Sequence, residues 1–81
     1  MTTLRFYTRQ GCPLCDEALE QVRPIAAKVK AEVEIIDVDL DLALLETYDH
    51  RVPVLESVTG EVIDEGAFDP KIIARYLRNH G

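Results

Sequence analysis

Basic residues are scarce in this chain. Nine lysines and arginines stand against fifteen aspartates and glutamates, a formal net charge of −6 over 81 residues. Nucleic acids and anionic membranes both recruit proteins through basic patches, so neither is an expected partner. Long apolar runs are missing as well. The opening stretch MTTLRFYTR carries Arg5 and Arg9 and no continuous hydrophobic segment of the length that a signal peptide or a membrane span requires, and the expected compartment is the cytoplasm. Cysteine is limited to Cys12 and Cys15. Two residues are too few for a disulfide scaffold, and at this spacing a bridge closes too short a loop to constrain much of an unfolded chain. Repeats, linkers and low-complexity stretches are absent, and a chain of this length builds one core but not a second. The expectation is a single domain over residues 1–81, with 47% hydrophobic and 30% charged residues in the balance of a soluble globular fold.

What is present reads as a sequence of short elements. In TLRFYT, Leu4 and Phe6 alternate with Thr3 and Arg5, which fits a strand with one buried face ending near Thr8. From Pro13, the apolar positions Leu14, Ala18, Leu19, Val22, Ile25, Ala26 and Val29 recur at three- and four-residue steps and line one side of a helix. Proline suits the first helical position, where a missing N–H costs nothing. Pro24 lies inside the same pattern and predicts a kink or an early break, because it removes a backbone hydrogen bond and crowds the preceding turn. EVEIIDVDL is dense in β-branched residues, and Val33, Ile35, Ile36 and Val38 predict a strand buried on both faces. Asp39 or Asp41 then caps a short helix through LALLETY, with Leu42, Leu45 and Tyr48 inward. VPVLES and EVIDE form an antiparallel hairpin that turns at Gly60 and ends at Gly66. Asp69 and Pro70 open a closing helix with Ile72, Ile73, Tyr76 and Leu77 as its apolar stripe, stopping near Asn79 or Gly81. The expected fold class is therefore α/β, in the order β-α-β-α-β-β-α. A parallel pair and an antiparallel hairpin make one four-stranded mixed sheet flanked by three helices.

The chemistry concentrates in TRQGCPLCDEAL. Cys12 precedes Pro13 and takes the N-cap position, and Cys15 follows one turn further in, so both thiols sit at the positive end of the helix. Such sites lower a cysteine pKa from about 8.5 to between about 3.5 and 7.5, which makes Cys12 the expected thiolate. Residues three apart on a helix hold their Cβ atoms roughly 5–6 Å apart, near the range that a disulfide bridges. Cys15 can then resolve a mixed disulfide formed on Cys12, and an external thiol can reduce the pair again. Asp16 and Glu17 directly follow and oppose further negative charge, with Arg9 and Arg51 as the cations available to offset them.

Other readings of the pair are structural, metal-binding or vestigial. Free cysteines are often small buried hydrophobes, although a helix N-terminus is normally partly exposed. Zinc usually takes four ligands, and His50 and His80 stand at no recognisable spacing from the cysteines, so no metal site is expected within one chain. A dimer sharing a metal or an iron–sulfur cluster is a separate alternative, and so is an interaction module whose pair is vestigial or only senses oxidation. The alternating acids of DVDLD point to opposite faces of a strand, and helix capping accounts for one of them, so no cation site is expected there.

The strand ending FYTR, then GCPLC opening a helix, RVPVL before a hairpin and EGAFD before the last helix together resemble the glutaredoxin branch of the thioredoxin superfamily. The likeness spans nearly the whole chain and is closest to short bacterial glutaredoxin-like proteins. It implies a thioredoxin-like fold and thiol–disulfide oxidoreductase activity through Cys12 and Cys15, with no bound cofactor. Glutathione or protein disulfides are the implied partners, with thioredoxin reductase as an alternative source of electrons, and the protein is expected to be a monomer. The resemblance also implies a cis peptide bond at Pro53, a loop facing Cys12, and backbone pairing of Val52 with a bound peptide or glutathione. Arg9 stands where a lysine is common and is expected to meet a glutathione carboxylate. Asp69 matches the acid that receives the ligand's amino group, Gly66 the first glycine of a glycine pair, and Ala67 replaces the second. Pro13 and Leu14 lie between the cysteines, Leu14 in place of a tyrosine. Arg51, where a threonine is common, brings an extra cation with His50 beside it. Asp69 is equally a helix cap in its own right, His50 a loop residue, and the two arginines solvated side chains. Small electron donors of ribonucleotide reductase are a weaker match, because the tryptophan-containing segment they carry before the last helix is missing.

Overall fold

In the computed structural model, which describes residues 2–80, TLRFYT forms strand β1 (Thr3–Thr8) in the interior of a four-stranded sheet. It is followed by helix α1 (Pro13–Lys28), strand β2 (Glu32–Asp37), a 3-10 turn (Val38–Leu40) and helix α2 (Leu42–Tyr48). Strands β3 (Val54–Ser57) and β4 (Val62–Glu65) make the hairpin, and helix α3 (Pro70–His80) closes the chain. Gly81, the alternative end of that helix, lies outside the described residues. The strand order is β2-β1-β3-β4, with β1 parallel to β2 and antiparallel to β3, and β3 antiparallel to β4. This is the expected mixed sheet with three helices.

Each face of the sheet has its own core. Leu4 and Phe6 of β1 and Leu55 of β3 pack against Ala18 and Val22 of α1 and against Ile73 and Leu77 of α3. Phe68, just before α3, meets Phe6 edge-on with ring centroids 5.9 Å apart. Burying each of the larger of these side chains contributes roughly 1.5–3 kcal/mol relative to leaving it in water. On the other face Tyr7 and Val54 pack with Val38 and with Tyr48 of α2, and the two tyrosine rings stack at 4.3 Å.

Two expected strand environments are exchanged. β1, read as buried on one face, carries Tyr7 on the second face at only 5% exposure, because pairing with both β2 and β3 places it in the interior and helices cover both sides. β2, read as buried on both faces, is an edge strand whose Ile35 is 47% exposed, and Val38 is buried in the 3-10 turn beyond it. Pro24 does not end α1, which runs on to Lys28. Pro24 and Glu20, whose carbonyl loses its donor, both lie on the exposed side, where a freed oxygen costs little because solvent can hydrogen-bond it. Leu14, Val29, Leu42 and Ile72, all assigned inward, are exposed. In α1 the buried stripe runs through Cys15, Ala18, Val22 and Ala26, so Cys15 takes the core-facing place at the start of the helix.

Candidate redox site

Strand register brings the site together at one end of the sheet. Thr8 ends β1 opposite Asp37 at the end of β2, and Tyr7 pairs with Val54 at the start of β3, which in turn faces Glu65 at the end of β4. The chain before α1, the 3-10 turn, the Val52–Pro53 segment and the segment leading into α3 therefore share that end. The Gly66 N–H donates to the Pro53 carbonyl at 2.8 Å and ties two of these segments together. The Val52–Pro53 peptide bond is cis. Gly11 adopts φ +71° in the turn that delivers Cys12 to the helix, a left-handed conformation that side chains other than glycine rarely tolerate, and Gly66 does the same at φ +73°. Gly11 was not singled out from the sequence, although a glycine between a strand and a proline-led helix is a readable turn signal.

Cys12 is the N-cap of α1 in extended backbone geometry, with Pro13 in the first turn. It is joined to Cys15 by a disulfide with Cα atoms 5.2 Å apart. The Cys15 N–H donates to Cys12 Sγ at 3.1 Å, so one of the donors of the first helical turn points at that sulfur. The two cysteines differ in exposure: Cys12 is half-buried, whereas Cys15 is 1% exposed against the sheet. Leu14, between them, is exposed. An open groove of about 290 Å³ runs along the Cys15 side between α1 and β2, lined by Thr8, Arg9, Gln10, Cys15, Asp16 and Asp37 among others. A slightly larger hollow at the opposite end of the sheet, between the hairpin turn and the end of α3, is far from the cysteines in the fold.

The two arginines of this end are engaged by carboxylates. Arg9 donates through Nη1 to Asp49 Oδ1 at 2.7 Å and through Nη2 to Asp39 Oδ1 at 2.8 Å. The hydrogen bond to Asp49, and then that to Asp39, holds the guanidinium above its ordinary pKa. Arg51 donates to both oxygens of Glu65, at 3.1 and 3.3 Å, and lies 5.3 Å from the centre of the Tyr48 ring. Its pKa is likewise raised, first by the bond to Glu65. Neither arginine is therefore a free charge available to offset Asp16 and Glu17. His50 is almost fully exposed, with Nε2 at 3.6 Å from Asp49. The Val52 N–H donates to the Tyr48 carbonyl at 3.1 Å and is committed inside the fold. Asp69 caps α3, its Oδ1 accepting from the Lys71 N–H at 2.9 Å, while its own N–H donates to Asp64 at 2.7 Å.

In DVDLD, Asp41 caps α2, one of the two caps expected there, whereas the roles of Asp37, which caps the 3-10 turn, and of Asp39, which holds Arg9, were missed by sequence reading. Among the described residues no three His, Cys, Asp or Glu side chains converge in the manner of a metal site. No described helix is long and apolar enough to cross a membrane.

Similarity to known proteins agrees with this architecture. The family model of the glutaredoxin-like domain (DUF836) matches residues 3–78. The chain belongs to that family, and its fold is thioredoxin-like. Protein XcR50 from X. campestris has 32% sequence identity, with 94% of this chain and 96% of that one covered at a TM-score of 0.79. Protein Ne2328 from Nitrosomonas europaea is also 32% identical, with coverage of 93% and 89% and a TM-score of 0.78. A thioredoxin from Halobacterium salinarum, the N21Q mutant, is 29% identical, with coverage of 96% and 73% and a TM-score of 0.69. A comparison with curated proteins finds no match. A thioredoxin-like fold carrying a C-x-x-C disulfide at a helix N-terminus is compatible with redox function.

Proposed function

We propose that this chain is a glutaredoxin-like thiol–disulfide oxidoreductase that exchanges a dithiol for a disulfide through Cys12 and Cys15. The observation that carries this reading is the asymmetry of the pair. Cys12 is the more exposed residue and its Sγ receives a backbone N–H, whereas Cys15 is buried within bonding reach of it. In the reduced protein the Cys12 thiolate attacks one sulfur of a substrate disulfide, forms a mixed disulfide and expels the other half as a thiolate. Cys15 loses its proton to solvent and attacks Cys12 Sγ, which breaks the mixed disulfide and expels the second thiolate. The substrate gains two electrons and the pair loses two. An external thiol, from glutathione or supplied by a thioredoxin reductase system, returns the pair to the dithiol.

Helix α1 lowers the cost of charge on Cys12 through its dipole and its unpaired N–H groups. Pro13 fixes the first turn, and Leu14, exposed between the sulfurs, contacts what docks there. Pro53, Val52, Gly66 and Asp69 shape the groove, with Arg9 and Arg51 at its charged margin. The cytoplasm is the compartment in which a pair of this kind cycles.

The test is the Cys12–Cys15 redox equilibrium in glutathione buffers, read by alkylation and mass shift, with Cys12→Ser and Cys15→Ser alongside. A reversible two-electron transition and a mixed disulfide trapped on Cys12 in Cys15→Ser are expected. A pair that stays reduced across the buffers, or purified protein with iron–sulfur absorbance, overturns the reading. Titration of the thiolate absorbance in Cys15→Ser checks the activation argument separately, with an apparent pKa below about 8.5 expected.

A further inference from the structure

We infer that this site selects its substrates by charge, accepting disulfides flanked by cationic or neutral groups and discriminating against anionic glutathione. The inference rests on the redox reading of Cys12 and Cys15 and names the substrate class of that same site. Glutathione carries two carboxylates for each ammonium, so its capture needs cations that are free to meet it. The two arginines at this end of the sheet are occupied. Arg9 is gripped by Asp39 and Asp49 at 2.8 and 2.7 Å, and that group of three carries a net negative charge. Arg51 and Glu65 form a two-pronged, neutral pair. A ligand carboxylate reaching Arg9 must displace one of two short charge-assisted bonds or enter as a third anion.

The remaining charge near the sulfurs is mostly negative. Asp16 and Asp37 line the groove beside Cys15, and Glu17 follows in the first turns of α1. No arginine, lysine or histidine pairs with any of the three among the described residues. Lys71 in the first turn of α3 is the opposing cation and makes no ion pair among the described residues, but the two carboxylates that build the cap of that helix, Asp69 and Asp64, outnumber it. With a net charge of −6 on the whole chain, the field at this end repels an anion on approach and attracts a cation. The fitting partner is a protein disulfide set among lysines or arginines.

The test uses the full-length reduced protein and three small disulfides: cystamine, with an ammonium on each half, neutral hydroxyethyl disulfide, and oxidised glutathione. Each second-order rate constant is divided by that of the same disulfide with dithiothreitol, an uncharged dithiol, which removes differences in leaving-group reactivity. At low salt the normalised rate is expected to fall from cystamine to glutathione by about tenfold, and the spread to shrink to within about twofold at ~0.5 M salt, where charges are screened within a few ångströms. In Asp39→Asn/Asp49→Asn, which releases Arg9, the ratio of the glutathione to the cystamine rate is expected to rise several-fold at low salt. Equal normalised rates that ignore salt in the unsubstituted protein overturn the charge selection and leave the redox reading intact. Failure of all three disulfides, the neutral one included, to oxidise the pair overturns both.

Discussion

The two faces of the sheet are built on different principles. Between the sheet and helices α1 and α3 the packing is mainly aliphatic and aromatic, with Leu4, Phe6, Val22, Leu55, Ile73 and Leu77 at or near zero exposure and Ser57 a buried hydroxyl at its edge, opposite Leu4. Between the sheet and α2 the core is small and holds polar groups. The Tyr48 hydroxyl donates to the buried Glu56 at 2.5 Å, Tyr48 stacks on Tyr7, and Arg51 rests against Tyr48 on its way to Glu65. Arg5, which faces Glu56 across the strand pair, leaves its Nε buried without a partner among the described residues. The first face gains its stability from area removed from water, which is insensitive to pH and tolerant of small shifts. The second depends on satisfied hydrogen bonds and is therefore sensitive to the loss of single atoms. The α2 face is also the one that reaches the charged margin of the cysteine site, so its polar content is linked to the groups that set substrate charge.

The sharpest test of this contrast is truncation on each side. Phe6→Ala on the α1/α3 face is expected to cost about 3–5 kcal/mol in denaturant unfolding, because it removes a fully buried ring and leaves a cavity against Phe68. Tyr48→Phe removes one oxygen and keeps the ring. It is expected to cost about 1–3 kcal/mol, since Glu56 then stays buried without its donor. A cost within error of zero would show that water enters the α2 face and would break the comparison.

Alkaline pH separates the faces further. Burial, and then the hydrogen bond to Glu56, pushes the Tyr48 hydroxyl well above its ordinary pKa. The folded state therefore holds this proton where the unfolded chain has lost it. Its stabilising contribution is complete below about pH 10 and declines as pH rises above that value, by at most about 1.4 kcal/mol per pH unit. Chemical unfolding between pH 9 and 11 is expected to show this decline, and Tyr48→Phe is expected to flatten the part due to Tyr48. The smallest effect is expected where neither face is involved: Leu40→Ser and Leu42→Ser, at 84% and 71% exposure, should each change stability by no more than about 0.5 kcal/mol.

Local signals were the legible part of this fold. Proline after Cys12, aspartate before α2, and Asp69–Pro70 before α3 each mark a helix start through interactions within a few residues, and each helix begins there. The cysteine pair was legible for the same reason, since a single helical turn sets its geometry. Hydrophobic pattern alone misjudged β1 and β2, because density of β-branched residues does not reveal which strand has neighbours on both sides. In α1 the pattern admitted Leu14 to the inner face, where the helix instead turns Cys15 inward.

The amino-acid sequence by itself determined the element order, the helix starts and the placement of two thiols at a helix N-terminus, because capping, turn geometry and periodicity act over short stretches of chain. Tertiary structure alone decided that β1 is interior and β2 an edge, that Tyr48 serves Glu56, and that the arginines beside the site are already paired. Arg9 meets Asp39 and Asp49 at separations of 30 and 40 residues, and Arg51 meets Glu65 at 14. Such pairings depend on which loops the sheet register brings to one end, and that register is a property of the assembled strands, encoded in no single segment.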